Sequence, residues 1–278
     1  MRESCENLAM EGLRTLVISQ KIISERQYND FHEDLVKAKA SLYRREEMVI
    51  EVMEALEDEM EYLGVTGVED KLQNDVMLTI ESLRSAGINV WMLTGDKVET
   101  ATCIAISAGL KSKSQSIFKI VENEGMNTIS IENDLKNFRA KAYSNLLIID
   151  GGTLKVIMSS IALEELFFEV SALAPSVCIC RCSPTQKAMV AKCIKKYTKK
   201  RIACVGDGGN DVAMIQEADV GIGIVGKEGM QASLASDFSI LEFSYLRRLI
   251  LWHGRLSYKR SSVLAQFVIH RGLIISII

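Results

Sequence analysis

The chain has 278 residues, a length that allows about two domains and a sizeable hydrophobic core. Its 33 Lys and Arg against 36 Asp and Glu give a formal net charge of −3, which argues against a nucleic-acid-binding protein held by a basic field. Hydrophobic residues make up 48% of the chain, and this excludes disordered and collagen-like proteins. Seven cysteines in no paired framework, and no secretory signal among the first residues, favour a reduced, cytosol-facing chain.

The first 63 residues predict a short strand followed by a long helical region. Leu13 to Ser19 is typical of a strand, but no partner strand is evident nearby. From Glu25 to Leu63, apolar residues recur at three- and four-residue spacing, which predicts an amphipathic helix with an acidic, solvated opposite face. We therefore expect this segment to be cut from a larger domain.

The next 180 residues or so, 64–243, alternate short apolar runs with helical patterns. This alternation predicts an α/β domain with a mostly parallel sheet. The polar stretch Lys111–Tyr143 is predicted to be an excursion between elements. The predicted strands are Ile88–Leu93, Leu146–Ile149, Val177–Cys182, Ile202–Val205 and Val220–Ile224, and the clearest helical patterns are Asn74–Ala86, Val98–Ala108, Pro184–Tyr197 and Val212–Glu217.

From Ser244 onward the pattern is that of one long helix. No Asp or Glu follows Glu242, and five basic residues precede an apolar tail: Arg247, Arg248, Arg255, Lys259 and Arg260. A basic approach to an apolar segment is typical of the cytoplasmic flank of a membrane helix. The alternative is a basic amphipathic helix lying on a protein surface.

Three polar clusters each follow an apolar strand and lead into a helix. They are Thr94-Gly95-Asp96, the segment Ser183 to Lys187, and the segment Gly206 to Asp211. Because the carboxyl ends of parallel strands lie along one edge of a sheet, we expect the three clusters to converge there. In the first cluster, the Thr94 hydroxyl and the N–H groups at a helix start suit an anion.

The third cluster places Asp207 and Asp211 four residues apart among glycines. Two carboxylates and a phosphate oxygen suit Mg²⁺, which rarely takes an all-protein cage. The alternative is that Asp211 only caps the following helix and Asp207 only makes a turn. The glycines and the extra acid within one turn favour the metal.

The second cluster has capping-box spacing, Ser183 with Gln186, and Pro184 at the first helical position. This puts Lys187 in the first turn, where the helix dipole disfavours a cation unless an anion is bound. A phosphate held by Lys187 is therefore the favoured interpretation, and a solvated lysine is the alternative. Arg181, within an otherwise apolar strand, is predicted to reach the same ligand.

Three cysteines alternate along one predicted strand: Cys178, Cys180 and Cys182. Alternating thiols could indicate a soft metal site, but a second ligand pair is lacking. We interpret them as small core residues.

Taken together, the motifs resemble those of the type IV P-type ATPases, the phospholipid-transporting flippases, whose phosphorylation domain has a haloacid-dehalogenase-like (HAD-like) Rossmannoid fold. The C-terminal segments, Ser257–Ser261 and Gln266–Leu273, resemble the class-2 endosomal and Golgi branch. The matching motifs are Gly64-Val-Thr-Gly-Val-Glu-Asp-Lys-Leu-Gln73, Trp91-Met-Leu-Thr-Gly-Asp-Lys-Val-Glu-Thr100, Cys182-Ser-Pro-Thr-Gln-Lys187, Gly206-Asp-Gly-Gly-Asn-Asp-Val-Ala-Met-Ile-Gln216 and Gly229-Met-Gln-Ala232.

The resemblance implies ATP and Mg²⁺ as cofactors and gives roles to matching residues. The catalytic residues would be Thr94, Asp96 and Lys187, and the metal ligands would be Asp207 and Asp211. Asp70 matches an acid near the nucleotide. The residues implied to contact the nucleotide, the phosphoryl group or the metal-bearing loop are Arg14, Thr94, Gly95, Asp96, Arg181, Lys187, Asn210 and Asp211.

The same resemblance implies three parts: the C-terminal part of a nucleotide-binding domain with a linker helix (1–63), a phosphorylation domain (64–243), and a stalk with the start of a transmembrane helix (244–278). The implied whole is an ATP-driven, multi-pass phospholipid flippase of Golgi and endosomal membranes, with its soluble part in the cytoplasm. Its partners would be ATP and a membrane phospholipid; an accessory subunit is left open. The family's Asp-Lys-Thr-Gly-Thr motif does not occur here, so this fragment is expected to be inactive alone.

Two alternatives stay open. One is a stand-alone HAD-like phosphatase, for which Asp150, after Leu146–Ile149, is the formal candidate nucleophile. The other is a non-catalytic truncated isoform that acts by interaction.

Overall fold

A computed structural model describes residues 4–5, 7–8, 11, 13–41, 43–68, 72–112, 114–122, 127–226 and 230–277. The chain forms two compact units, Met1–Asp70 and Lys71–Ile278.

The first unit is built on an antiparallel strand pair, β1 (Arg14–Gln20) with β2 (Glu61–Val68). Two helices connect the strands and pack against each other, α1 (Glu25–Ala40) and α2 (Arg45–Glu57). Ser24 begins α1 with a capping box, in which its Oγ accepts the backbone N–H of Gln27 and its own N–H bonds to the Gln27 side chain.

Two sequence predictions for this unit are wrong. The helical region is interrupted near Arg44, whose φ of 52° is left-handed, and it ends at Glu57 rather than Leu63. The strand near the start does have a partner, β2, whose first residues, 61–63, fall within the predicted helix because Leu63 continues the helical spacing. Residues 64–68 also pair with β1.

The strands of the second unit are β3 (Val90–Leu93), β4 (Ser116–Ile120), β5 (Asn145–Asp150), β6 (Ser176–Cys180), β7 (Ala203–Gly206), β8 (Val220–Ile224) and β9 (Phe238–Ile240). They form two sheets, β3-β6-β5-β4 and β7-β8-β9, and every neighbouring pair is parallel. The predicted α/β class with a mostly parallel sheet is confirmed. β4 lies within the stretch predicted to be an excursion, because this short edge strand is only partly apolar.

Helices cover both faces of the first sheet. They are α3 (Val76–Ser85), α4 (Val98–Ser107), α5 (Thr128–Arg139), α6 (Gly151–Met158), α7 (Ile161–Ser171) and α8 (Pro184–Thr198). Along β5, Leu147 and Ile149 pack into one apolar cluster while Ile148 packs into another on the opposite face. Alternate residues of a central strand are thus buried on both sides, as a parallel sheet requires.

The end strands β3 and β7 pack against a common apolar cluster. Val90 of β3 and Val205 of β7 pack against the same cluster around Ile222, and Leu93 packs against the cluster that contains Cys204. Within the described residues, β3 pairs only with β6 and β7 pairs only with β8. Each strand therefore keeps one open edge beside this shared core.

The remaining helices follow β7. They are α9 (Val212–Glu217), α10 (Gln231–Leu234), α11 (Tyr245–Arg247) and α12 (Arg255–Ile277), and a π-helical segment, Arg248–Gly254, joins the last two. The long C-terminal helix is as the sequence predicts, except for the π segment. No helix in the described ranges is long and apolar enough to cross a membrane, so the membrane entry of residues 244–278 stays a prediction.

Candidate functional site

The loops after β3 and β6 are joined by backbone hydrogen bonds. The Arg181 N–H donates to the Asp96 carbonyl at 2.9 Å, and the Cys182 N–H donates to the Thr94 carbonyl at 2.9 Å. Arg181 takes a left-handed φ of 49° at this point. The first two polar clusters predicted from the sequence are therefore held together at the carboxyl edge of the sheet.

Gly151, at the start of α6, allows this loop to approach closely. A Cβ on Gly151 would lie 2.2 Å from the Arg181 carbonyl oxygen, far below any real contact. The Gln186 side chain reaches the same place and donates to the Gly151 carbonyl at 2.8 Å. The sequence reasoning missed both contacts, since the residues lie about 30 or more positions apart.

The first cluster forms a closed polar turn. The Asp96 N–H donates to Thr94 Oγ1 at 3.1 Å, and the Thr94 hydroxyl donates to Asp96 Oδ2 at 2.7 Å. The carboxylate and the hydroxyl are thereby oriented together, and a Cβ on Gly95 between them would meet nothing within 4 Å. The open side at Gly95 leaves room for a ligand.

The second cluster begins α8 as predicted. Ser183 and Gln186 form a capping box, with the Gln186 N–H on Ser183 Oγ at 3.2 Å and the Ser183 N–H on Gln186 Oε1 at 3.0 Å, and Pro184 is the first helical residue. These bonds fix the first turn of the helix, which carries Lys187.

Lys187 joins the second cluster to the third. Its Nζ lies 2.9 Å from Asp211 Oδ1, and the two side chains are only 12% and 13% exposed. The anion that the first turn of α8 requires is thus, in this structure, the Asp211 carboxylate. All three polar clusters therefore converge, as the topology of a parallel sheet predicts.

The third cluster is shaped by glycine. A Cβ on Gly206, the last residue of β7, would lie 2.3 Å from Asp211 Cβ, so Asp211 packs directly on the strand end. A 3₁₀ turn, Gly209–Asp211, then leads into α9. Asp211 is buried, whereas Asp207 and Asn210 are exposed at the same loop.

These donors fit Mg²⁺ as a shared site. Asp207, Asn210 and Asp211 offer only oxygen ligands, and in the described part of the chain no group of three or more His, Cys, Asp and Glu could hold a metal by itself. Mg²⁺ keeps several waters and takes one or two carboxylates together with substrate phosphate oxygens. The set thus suits a metal that arrives with a phosphate group.

Three other residues are considered from the sequence. Asp150 is only 2% exposed, and its Oδ1 accepts the backbone N–H groups of Glu122 at 3.2 Å and of Thr153 at 3.1 Å, so it caps α6. Arg14 lies in β1 of the first unit, and Asp70 is outside the described residues.

The alternating cysteines are core residues, as interpreted from the sequence. Burial, followed by the nearby Asp150 charge, raises the pKa of Cys180 to about 12. Burial also raises the pKa of Cys182 to about 11, although Lys187 opposes the shift. Thiols of this kind stay protonated and are poor metal ligands at neutral pH.

A family model described as haloacid dehalogenase-like hydrolase matches residues 6–142, and the α/β architecture with its mostly parallel sheets agrees with a domain of that kind. A second family model, phospholipid-translocating P-type ATPase C-terminal, matches residues 233–278. The predicted resemblance to the phospholipid-transporting P-type ATPases is confirmed, and the chain is related to them along almost its whole length.

Three curated relatives illustrate the match. The chain is 52% identical over 278 residues to the probable phospholipid-transporting ATPase IIB of Danio rerio, covering 99% of this chain and 24% of that protein. It is 52% identical over 281 residues to the phospholipid-transporting ATPase NEO1 of Saccharomyces cerevisiae, covering 100% and 24%. It is 39% identical over 282 residues to the phospholipid-transporting ATPase 2 of Arabidopsis thaliana, covering 99% and 25%. The chain thus spans about a quarter of the length of these relatives.

Proposed function

We propose that this chain is the phosphate-handling part of an ATP-driven phospholipid flippase. The observation that carries the proposal is the buried contact of Lys187 with Asp211, held beside the Thr94–Asp96 turn at one sheet edge. A cation, paired carboxylates and oriented hydroxyl and N–H groups at one point are what phosphoryl transfer needs, since its catalysis is mainly positioning and charge stabilisation.

The side chains would divide this work. When the phosphoryl oxygens arrive, the Lys187 ammonium group would donate hydrogen bonds to them as well as to Asp211. The Thr94 hydroxyl and the N–H groups of the open Gly95 turn would orient those oxygens, and Arg181 would lie near the nucleotide. Mg²⁺, when bound by Asp207 and Asp211 with Asn210 beside them, would neutralise developing negative charge.

The aspartate that accepts the phosphoryl group would come from outside these 278 residues, which contain no Asp-Lys-Thr-Gly-Thr motif. The open edges of β3 and β7 support this, because both strands end at the site and both have an unused edge among the described residues. A parallel strand entering between them would deliver its C-terminal residue to Lys187 and Asp96. Asp150 is unsuited to the role, since it lies on β5, beyond β6, and caps a helix.

The other parts follow from the relatives' names and from the sequence. We propose that the first unit and its Arg14 belong to a nucleotide-binding domain, and that the second unit is the phosphorylation domain. The basic and then apolar residues of α12 would enter a Golgi or endosomal membrane, where a phospholipid is moved. An accessory subunit is left open.

A chimera tests the proposal. The matching region of the yeast relative is replaced by this chain, and the purified chimera is tested for ATP-dependent phosphorylation and for transport of a labelled phospholipid. We expect both activities, and we expect Asp207→Asn to reduce phosphorylation at least about 100-fold because a metal carboxylate is lost. Leu234→Ala, at an exposed residue of α10, is the matched control.

The stand-alone phosphatase makes the opposite prediction. It requires the isolated chain to hydrolyse p-nitrophenyl phosphate, with the activity lost in Asp150→Asn. That result, together with a folded chimera that takes no phosphate from ATP, would overturn the flippase proposal.

A further inference from the structure

The Gln231 side chain, at the start of α10, lies against the turn that carries the candidate metal ligands. A Cβ on Gly209 would lie 2.1 Å from Gln231 Oε1 and 3.3 Å from its Cδ. With the Gln231 side chain in this position, a Cβ at residue 209 would displace its amide end. Gly209 is the first residue of the 3₁₀ turn that continues to Asn210 and Asp211.

The backbone of α10, next to Gln231, makes a second close contact, with Gly223. A Cβ on Gly223 of β8 would lie 2.5 Å from Ser233 Cα and 2.7 Å from Ser233 N, so the backbone of α10 packs directly on the strand. Ala232 is fully buried at 0% exposure. The exposed Gln231 side chain therefore reaches Gly209 from a helix whose backbone packs on β8.

The two sides of the metal loop are therefore restrained differently. On one side, Asp211 is held by Lys187 and packs against Gly206. On the other, the glycine-rich stretch leading to Asp211 has little intrinsic stiffness, since glycine is conformationally permissive. The Gln231 side chain is the group that lies against this second side.

We infer that Gln231 is a positioning residue, acting through Gly209, for the Asp207–Asp211 loop. The inference rests on the proposed function, because positioning matters only where the loop holds Mg²⁺. It gives a role to the Gly229-Met-Gln-Ala232 segment, which the catalytic groups above leave unused.

A double-mutant cycle on the full chain tests the contact. Gly209→Ala would push the flexible end of Gln231 away, and Gln231→Ala would remove it, so the two changes break the same contact. In titration calorimetry with inorganic phosphate present, we expect each change to weaken Mg²⁺ binding about 3- to 10-fold, and the double variant to bind no more weakly than either single one. Leu234→Ala, on the same helix and 80% exposed, should bind Mg²⁺ like the parent.

Two further readouts separate the outcomes. The melting temperature should change little in either single variant, whereas a purely structural role would lower it and leave Mg²⁺ affinity unchanged. The amide chemical shifts of Asn210 and Asp211 should move alike in both single variants, with or without metal. Two results would overturn the inference and leave the proposed function standing. One is a double variant whose loss of Mg²⁺ affinity is the product of the two single losses, and the other is an Mg²⁺ affinity that Gln231→Ala leaves unchanged. If the parent chain binds no Mg²⁺ even with inorganic phosphate present, the metal part of the proposed function fails and the chemical shifts decide on the contact.

Discussion

At the scale of single residues, Lys187 and Asp211 form the most buried ion pair between described residues. Each charge has lost most of its water, so each depends on the other, and removing one partner leaves an uncompensated buried charge. A pair of this kind adds little net stability, but it fixes a cation beside carboxylate oxygens. Its value lies in orientation, which is what a phosphate site requires.

Lys187→Met should therefore destabilise the second unit by about 3 kcal/mol, because Asp211 is left buried without its cation. Urea unfolding followed by circular dichroism measures the loss. The double variant Lys187→Met with Asp211→Leu should recover most of it, since no charge is left unpaired. Equal losses in the single and double variants would show that packing, not charge, sets the effect.

Asp219 makes a pH-dependent contribution to the stability of the fold. The Ile202 N–H at 3.0 Å and then Arg201 Nη1 at 2.9 Å bond to its carboxylate and hold the pKa of Asp219 below its usual value. A lowered folded-state pKa stabilises the fold above the unfolded-state pKa, about 3.9, and this stability is lost as pH falls through the folded-state value.

Asp219→Asn should accordingly lower the melting temperature at pH 7 and flatten its fall between pH 5 and pH 2, where the parent loses this contribution. Melting curves at half-unit steps of pH measure both. Parallel curves for the parent and the variant would contradict the assignment.

At the scale of the elements, two adjacent glycines at the start of α6 lie against different kinds of neighbour. A Cβ on Gly151 would collide with the Arg181 backbone oxygen at 2.2 Å, whereas one on Gly152 would meet the end of the exposed Glu122 side chain at 2.0 Å. Backbone cannot move away without breaking the hydrogen bonds that join the first two polar clusters. A flexible side chain can rotate.

Gly151→Ala should thus cost about 2 kcal/mol of unfolding free energy, and Gly152→Ala less than about 1 kcal/mol, although both add one methyl group to the same helix. Chemical denaturation of the two variants checks the difference. A larger loss at Gly152 would mean that the Arg181 loop is not held as described.

Elements with strong local patterns could be predicted from the sequence, and those defined by a partner could not. The strand Val220–Ile224 and the helix Val212–Glu217 match their predicted bounds because apolar runs and helical spacing decide them. The first three residues of β2, 61–63, fall within the predicted helix because Leu63 continues the helical spacing. The three converging loops followed from parallel topology, but the contact of Gln231 with Gly209 depends on how distant elements pack.

At the scale of the whole molecule, the reactivity of each cysteine measures how well its surroundings are protected from solvent. Cys178, Cys180, Cys182, Cys193 and Cys204 are buried, whereas Cys5 and Cys103 are partly accessible. Burial raises the pKa of the buried thiols, to about 11 for Cys204, so at pH 8 they are protonated and shielded from reagents.

Iodoacetamide at pH 8 should therefore label Cys5 and Cys103 within minutes, and the five buried thiols only as fast as the fold opens. Mass spectrometry of peptides after timed quenching measures each site. Fast labelling of Cys180 in a chain that otherwise melts cooperatively would contradict the arrangement of β5 and β6.

The open edges of β3 and β7 affect how the chain behaves in a test tube. An unused strand edge offers a row of backbone donors and acceptors to any extended peptide, including the same edge of another molecule. The chain handled alone at high concentration should therefore self-associate through these edges. A short apolar peptide of strand-forming sequence should compete with this association and raise solubility, which makes these open edges useful for purification.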